Sequence, residues 1–339
     1  IADFNNDGNL DIFQVDMDAK DNRRKKANMS SMNPQLFWDV VDAGFHVQYM
    51  HNCMQLNTGM VENGIPQFEN ISRLTGTSTD WSWGPLFADF DNDGYKDLYI
   101  TNGTRREVNN NDYFHSLENG KLETKDLLKK VNAIPSEKID NFMYKNMGGL
   151  KFEQFNKQWG IEYEGFSNGV AYADLDNDGD LEIITNNIDD YATIFENTSS
   201  KTKNYLTVKF KGSTKNSQGL GNRVYVKTDD NTQMQELTLS RGFQSSVAPE
   251  LHFGVNKTKI IDEVKVVWST GKVQILKNVK ANQVLVLNEQ DAVPNTVKVP
   301  VKPTLFMNET SLFPVYKHAE NEYDDFKDQV LLPHKMSSF

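Results

Sequence analysis

The clearest pattern along the chain is a set of short apolar runs that flank acidic turns. Residues 86–88 (Leu-Phe-Ala) precede one such turn and residues 98–101 (Leu-Tyr-Ile-Thr) follow it, while residues 170–173 and 183–185 flank another. Aromatic and β-branched residues on both sides of a turn favour extended strands. The pattern therefore predicts β-hairpins with the acidic turns at their tips.

A second pattern, strict alternation of apolar and polar residues, occupies residues 204–289. Its apolar positions are Leu206, Val208, Phe210, Val224, Val226, Val264, Val266, Trp268, Val273 and Ile275. Turn signals fall at Gly212, residues 229–231, residues 256–257 and residues 270–271. This alternation predicts a compact all-β domain of about seven strands.

The acidic turns recur at a nearly constant interval. Their first aspartates are Asp3, Asp89 and Asp174, so the spacings are 86 and 85 residues. Residues 52–59 also resemble residues 141–148, and residues 191–197 look like the start of one more copy. A recurring unit of several short strands predicts a blade of a β-propeller. Blades usually have about 40–50 residues, so we expect insertions, at residues 18–47 and at residues 105–133, the latter with a helical stretch.

The three turns, named here loop 1 (residues 3–11), loop 2 (89–97) and loop 3 (174–182), share one frame. Oxygen-bearing side chains stand at positions 1, 3 and 5, glycine at position 6 and an acid at position 9. Ca²⁺ takes six to eight oxygen ligands, and glycine permits the sharp reversal that brings them together. The frame predicts three Ca²⁺ sites, with the position 7 residue offering its carbonyl. The predicted ligands are Asp3, Asn5, Asp7, Asn9 and Asp11; Asp89, Asp91, Asp93, Tyr95 and Asp97; and Asp174, Asp176, Asp178, Asp180 and Glu182.

Two details refine this prediction. An EF-hand loop ends with glutamate at position 12 between two helices, whereas these loops end at position 9 between extended flanks, so they are not EF-hands. Loop 1 has Asn5 where the others have aspartate. Because affinity follows ligand charge, we expect loop 1 to bind Ca²⁺ more weakly than loops 2 and 3. Each loop is internally complete, so the ions should have a structural role.

Composition narrows the possible partners and the compartment. The formal net charge is −11. Positions 1, 3, 5 and 9 of the three loops together hold 11 carboxylates, as many as the net negative charge. An acidic chain of this kind argues against a nucleic-acid partner. A lone cysteine, Cys53, excludes an internal disulfide framework, and the chain contains no apolar run of about 20 residues that would span a membrane.

At the loops, the chain resembles FG-GAP/VCBS repeats, the Ca²⁺-loop blades of integrin-α-like propellers. The segment from Asn204 to Glu289 resembles a second family, the ASPIC/UnbV domain, through residues 204–208, 219–224, 241–246, 251–254 and 264–271. The pair implies an all-β fold: a partial β-propeller with Ca²⁺-loop blades and insertions, followed by a small β-sandwich or barrel-like domain. The pairing also resembles long surface proteins of Bacteroidota, which implies an extracellular, outer-membrane-associated location.

These resemblances imply a domain order. We expect propeller blades that form an incomplete ring in residues 1–199 and an ASPIC/UnbV β-domain in residues 200–290. A linker in residues 291–312 and the lead-in to a further propeller in residues 313–339 follow. The whole is expected to be an interior piece of a longer polypeptide. Missing blades of that polypeptide or another subunit should cover the open blade faces, and residues 1–199 alone should aggregate, whereas residues 200–292 alone should fold.

Catalytic patterns are sparse. The six histidines form no His-Glu-x-x-His pair, and the chain lacks a Gly-x-Ser-x-Gly elbow and a phosphate-binding loop. His252 and Cys53 fit structural roles in strands. The favoured function is a non-catalytic Ca²⁺-binding surface or secreted module that binds a glycan, another polymer, an adhesion partner or an outer-membrane complex. The alternatives are a Ca²⁺-dependent polysaccharide lyase and a structural spacer.

Overall fold

The structure is a computed structural model that describes residues 1–28, 34–47, 50–118, 127–213, 215–229 and 231–295. The predicted linker (291–312) lies almost wholly outside the described residues, and the predicted lead-in (313–339) lies entirely outside them. Antiparallel strands dominate the described part, so the predicted all-β class is confirmed. None of the helices in these ranges is long and apolar enough to cross a membrane.

The described residues up to Phe195 form twelve strands. They are β1 (Ile12–Gln14), β2 (Cys53–Glu62), β3 (Ile65–Asn70), β4 (Ser82–Ala88), β5 (Asp97–Asn102), β6 (Ile139–Asp140), β7 (Phe142–Asn146), β8 (Phe152–Gln154), β9 (Glu164–Gly165), β10 (Ser167–Ala173), β11 (Glu182–Asn187) and β12 (Thr193–Phe195). Six short helices accompany them: α1 (Asn22–Asn28), α2 (Pro34–Asp42), α3 (Ser72–Thr75), α4 (Asn111–Glu118), α5 (Leu127–Asn132) and α6 (Asn156–Trp159).

Three of the sheets are the predicted blades. Blade 1 has the order β1-β2-β3, blade 2 the order β4-β5-β7-β8 and blade 3 the order β10-β11-β12, and neighbouring strands in each are antiparallel. The propeller-type architecture is thus confirmed. Strands β6 and β9 form a separate two-stranded pair.

The sequence repeat is offset from the structural blade. Residues 191–197, expected to begin another copy, contain β12, which pairs with β11 and completes blade 3. The equivalent strands β2 and β7 likewise pair with the strands that follow loops 1 and 2. The segment is thus the counterpart of β2 and β7, as the repeat predicts, but it belongs to blade 3 and does not begin a new blade.

The predicted insertions are present and contain helices. Residues 18–47 hold α1 and α2, and residues 105–133 hold α4 and α5. A buried ionic cluster connects the two insertions to blade 2: Arg24 of α1 makes two hydrogen bonds to Asp80 (2.6 and 2.9 Å) and one each to Glu107 (2.5 Å) and Glu137 (2.8 Å). A guanidinium can be buried in this way because several of its N–H groups donate to carboxylates.

The second part of the described chain forms what we call the C-terminal β-domain. Its strands are β13 (Asn204–Lys211), β14 (Arg223–Lys227), β15 (Thr232–Glu236), β16 (Ser240–Arg241), β17 (Ser245–Ser246), β18 (Glu250–Asn256), β19 (Ile260–Val267), β20 (Lys272–Lys280), β21 (Gln283–Asn288) and β22 (Val293–Pro294). Seven of these have five or more residues, as the alternation predicts. A five-stranded sheet, β15-β14-β19-β20-β22, and a three-stranded sheet, β18-β13-β21, surround a core that includes Phe253, Val264 and Trp268.

Apolar clusters fill both contacts between blades. Phe4, Phe13 and Met54 of the blade 1 region pack on Leu98 and Ile100 of blade 2. On the opposite side of blade 2, its residues pack on blade 3 in a cluster that includes Leu86, Tyr99, Met143, Val170 and Ile183. Each loop lies at one end of its blade, beside the loop of the neighbouring blade.

Candidate metal-binding loops

All three loops lie at the positions that the hairpin prediction requires. Loop 2 joins β4 to β5 and loop 3 joins β10 to β11, both antiparallel pairs. Loop 1 is closed by a single antiparallel bridge between Ala2 and Asp11, immediately before β1. The predicted hairpins around loops 2 and 3 are confirmed.

The position 1 aspartate organises each loop through its backbone. Its two oxygens accept the N–H groups of positions 5 and 6, so one carboxylate fixes two successive peptide groups. The pairs are Asp3 with Asp7 (3.1 Å) and Gly8 (3.0 Å), Asp89 with Asp93 (3.0 Å) and Gly94 (2.8 Å), and Asp174 with Asp178 (3.1 Å) and Gly179 (3.1 Å).

Two residues of each loop have left-handed backbone conformations. The position 4 asparagines have φ of 60° (Asn6), 56° (Asn92) and 61° (Asn177), and the position 6 glycines have φ of 88°, 95° and 94°. Asparagine and glycine are the residues that adopt this region at least cost. The shared Asn-x-Gly spacing thus accounts for the shared loop shape.

The position 9 acid connects the loop to a second segment of its blade. One oxygen accepts the N–H of position 2, from Phe4 (3.2 Å), Phe90 (3.1 Å) or Leu175 (2.7 Å). The other accepts the N–H of an asparagine at the end of the blade, Asn57 (2.9 Å), Asn146 (2.9 Å) or Asn197 (3.3 Å). Sequence reasoning did not assign these asparagines to the site, although the repeat of residues 52–59 in 141–148 contains two of them.

In loops 2 and 3 the carboxylates of positions 1, 3 and 9 converge. Oxygens of Asp89, Asp91 and Asp97 lie within 4.8 Å of one another, as do those of Asp174, Asp176 and Glu182. Oδ1 of Asp91 is buried without a hydrogen-bond partner. An oxygen-only donor set with an unpaired buried oxygen fits a hard cation such as Ca²⁺. In loop 1, Asn5 occupies the position that Asp91 and Asp176 occupy in these clusters.

The remaining predicted ligands make hydrogen bonds within the loops. Each position 5 carboxylate accepts the main-chain N–H of position 7; the pairs are Asp7 with Asn9 (2.8 Å), Asp93 with Tyr95 (3.0 Å) and Asp178 with Asp180 (3.2 Å). Asp180 also accepts the N–H of Ser200 (2.8 Å), and its Oδ1 is buried without a partner.

Electrostatics make the carboxylate clusters unfavourable without a cation. Burial, together with the charges of Asp93 and Asp91, raises the pKa of Asp89 to about 8. Burial and neighbouring carboxylates also raise the pKa of Asp97 well above its ordinary value, and burial raises the pKa of Asp11 to about 6. A bound cation would lower these pKa values by favouring the ionised forms.

Loop 2 also contacts lysines that sequence reasoning missed. Burial alone would raise the pKa of Asp91, but hydrogen bonds and charge from Lys145 and Lys203 lower it. Lys145 Nζ forms ion pairs with both Asp91 and Asp93, the latter at 2.6 Å, and Lys203 Nζ lies 3.0 Å from Asp91. The buried Lys96 donates to the Asp3 carbonyl at 2.8 Å and so connects loop 2 to loop 1. No sequence motif marks Lys145 and Lys203, because they come from segments outside the loop.

Side-chain amides join each loop to the next. Asn6 Nδ2 donates to the Gly94 carbonyl (2.8 Å), and Asn92 Nδ2 donates to the Gly179 carbonyl (3.1 Å). In the opposite direction, Asn146 donates to the Phe4 carbonyl (2.8 Å) and Asn197 to the Phe90 carbonyl (2.7 Å). The same two hydrogen bonds thus recur at both contacts between blades.

The single cysteine does not resemble an activated nucleophile. Cys53 Sγ lies 3.5 Å from His51 Nε2, the distance at which a base could take its proton. However, burial raises the pKa of the Cys53 thiol, whereas nucleophilic cysteines have lowered pKa values.

Comparison with known proteins agrees with the order of the two parts. Residues 52–100 match the family model of the FG-GAP-like repeat, and residues 212–294 match that of the ASPIC and UnbV family. The first match includes loop 2, and the second includes most of the C-terminal β-domain. The resemblance to these two families is therefore confirmed. Among curated proteins, none matches the chain.

Proposed function

We propose that this chain is a calcium-binding, non-catalytic module of a secreted or cell-surface protein, and that the ions hold its loops in shape. The observation that carries the proposal is the convergence of three carboxylates in loop 2 and again in loop 3, with one backbone hydrogen-bond pattern in all three loops. Asp89, Asp91 and Asp97 would hold one ion, and Asp174, Asp176 and Glu182 another. Asp3, Asn5 and Asp11 would hold a third.

Calcium is the cation that best suits these loops. All side-chain donors are carboxylate or amide oxygens, which hard cations prefer, and the hairpin-tip loops can adjust to a ligand number of six to eight. Extracellular modules bind Ca²⁺ with dissociation constants of about 10⁻⁴ to 10⁻³ M. Such affinities suit a location outside the cell, where the ion is abundant.

A groove beside loop 2 favours a binding module over a spacer. Its volume is about 530 Å³, and its lining includes Asp91, Trp159, Phe195 and Asn197. A half-buried tryptophan beside polar side chains can stack on a sugar ring while the polar groups bind hydroxyls. A glycan or another polymer is therefore the partner that we propose for this groove.

The lyase alternative has less support. A lyase needs a neutral base near the metal loop, and Lys145 lies directly against loop 2. Burial opposes its charge, but the hydrogen bonds and charges of Asp91 and Asp93 prevail and raise the pKa of Lys145. The lysine is held protonated, which is unsuitable for proton abstraction.

The test of the proposal is thermal unfolding of the chain with Ca²⁺ and with excess EGTA. An ion that binds only the folded state stabilises it by mass action, by about 2.7 kcal/mol for each site at a concentration of 100 Kd. We expect a clear rise in Tm with Ca²⁺ and a smaller one with Mg²⁺. Identical melting curves in Ca²⁺ and EGTA would contradict the proposal. A glycan array probed in both conditions then identifies the partner.

A further inference from the structure

We infer that the C-terminal β-domain docks on loop 2 and that this docking is coupled to the metal state of the loop. The inference rests on the proposed function, since it assigns a regulatory consequence to the same site. It concerns the surface between strand β18 and loop 2, which belong to two different family regions of the chain.

The contacts at this surface go to the loop itself. His252 Nε2 of β18 lies 2.6 Å from Asn92 Oδ1, and the main-chain N–H of Asn256 donates to the Asn92 carbonyl at 2.9 Å. Asn231 Nδ2 donates to the Gly94 carbonyl at 3.3 Å. Asn92 and Gly94 are the two residues of loop 2 with left-handed backbone conformations, so these bonds depend on the folded shape of the loop.

Strand β18 also lies directly over a predicted metal ligand. A methyl group in place of the Gly254 hydrogen would stand 2.1 Å from Asp89 Oδ2 and 2.4 Å from the Asn92 Cα. Gly254 does not have a positive φ, so glycine is needed here for the close approach and not for its backbone conformation. The β-domain therefore covers Asp89 and contributes to its burial.

Because β18 covers loop 2, docking of the β-domain and binding of a cation by the loop depend on each other. Without a cation, nothing holds the converging oxygens of Asp89, Asp91 and Asp97 together, and opening of the loop would give these buried polar groups access to water. Opening would displace Asn92 and Gly94, and with them the acceptors of His252, Asn256 and Asn231. Conversely, a docked β18 holds the loop closed and favours binding. Linkage requires the two effects to be equal.

Hydrogen exchange of the full chain, followed by mass spectrometry in Ca²⁺ and in EGTA, tests this coupling. We expect Ca²⁺ to protect residues 250–256, whereas residues 260–280 are equally protected in both conditions and report that the β-domain stays folded. Asp97→Asn should remove the Ca²⁺-dependent protection of residues 250–256. The matched control Asp11→Asn, at position 9 of loop 1, should retain it.

The reciprocal experiment starts from the β-domain. In calorimetry with CaCl₂, Gly254→Ala should weaken one site about tenfold, in the range typical of coupled sites, and leave the others unchanged. Ile275→Ala, on the exposed face of β20, is the control and should bind like the wild type.

The outcomes separate this inference from the proposed function. Calcium binding with identical exchange of residues 250–256 in Ca²⁺ and EGTA would overturn the coupling and leave the proposed function intact. Equal loss of protection in Asp97→Asn and Asp11→Asn would overturn the assignment to loop 2. Absence of calcium binding to the wild-type chain would overturn both.

Discussion

Lys145 places a positive charge against the carboxylates of loop 2, and the described contacts of loop 3 include no such lysine. Its ammonium group lies between Asp91 and Asp93 and also 5.6 Å from the centre of the Trp159 ring. A tethered cation in this position neutralises part of the ligand charge. It would therefore compete with a bound metal ion for the same oxygens.

Replacing Lys145 by methionine should strengthen calcium binding at loop 2. Removal of a positive charge from the ligand shell raises the negative charge available to the ion, and affinity follows that charge. We expect roughly a tenfold rise in the affinity of one site in calorimetry. Lys277→Met, which removes an exposed lysine paired with Glu263, is the control. An unchanged or weaker site in Lys145→Met would show that the lysine does not compete.

The protonation state of His252 is expected to affect the stability of the fold. Burial lowers its pKa to about 4. Asn92 Nδ2 donates to Gly179, so its Oδ1 acts as the acceptor for His252, and Nε2 of the neutral imidazole carries the hydrogen. On the other side the ring stacks on Tyr205, with 6.0 Å between centroids.

This lowered pKa predicts a loss of stability in mild acid. Between about pH 6.5 and 4 the unfolded state binds the proton and the folded state does not, so stability falls as pH falls through that range. The loss attributable to His252 is at most about 3 kcal/mol. Urea unfolding of the wild type and of His252→Gln should therefore give a difference in unfolding free energy that changes between pH 7 and 4. A constant difference would refute the assignment.

Among the elements, strands β2 and β7 have a role beyond sheet pairing. Asn146, at the end of β7, donates to the carbonyls of Phe4 (2.8 Å) and Lys96 (3.1 Å) and so joins loops 1 and 2. Asn57, its equivalent in blade 1, donates to the carbonyl of Leu10 at 3.3 Å. The two asparagines occupy the same position in their blades but differ in how many loops they join.

Asn146→Ala should accordingly destabilise the chain far more than Asn57→Ala. The first change leaves two buried carbonyls without a donor, and each such group costs about 1–3 kcal/mol. We expect a loss of about 2–5 kcal/mol for Asn146→Ala and of about 1 kcal/mol for Asn57→Ala in urea unfolding. Equal losses would mean that the link between loops contributes little.

The elements that the sequence predicted well are those with local causes. The alternation around Val224 and Val264 sets strands directly, and Asn92 and Gly94 set the loop by their own backbone preferences. Asn146 and Lys96 were missed because their partners, Phe4 and Asp3, lie 142 and 93 residues away along the chain. Gly254 likewise looks ordinary in a strand, and only the approach of Asp89 explains it.

For the whole molecule, blade 3 exposes a face that blade 2 buries. Leu175 is the equivalent of Phe90 by the repeat, yet it is 52% exposed and Phe90 is 3% exposed. Ile194 lies three residues before Asn197, as Met143 lies before Asn146, yet it is 59% exposed and Met143 is fully buried. In blade 2 these positions pack on the next blade, whereas in blade 3 they form an exposed apolar surface.

This face should bind hydrophobic dye and promote self-association. The double variant Leu175→Lys and Ile194→Lys should lower 1-anilinonaphthalene-8-sulfonate fluorescence several-fold and make sedimentation less dependent on concentration, because charge disfavours apolar association. Ile275→Lys, a change at a residue 53% exposed on β20, is the control and should alter neither measurement. Equal effects from both proteins would indicate that blade 3 is not a preferred contact surface.

The hydrogen bonds between loops also bear on how such a chain can grow in evolution. Each contact between blades uses an asparagine amide on one side and a main-chain carbonyl on the other, Asn6 with Gly94 and then Asn92 with Gly179. A main-chain carbonyl is present whatever the side chain, so the acceptor needs no matching mutation. A duplicated gene segment that encodes one blade would therefore bring both the donor and the acceptor of this hydrogen bond with it.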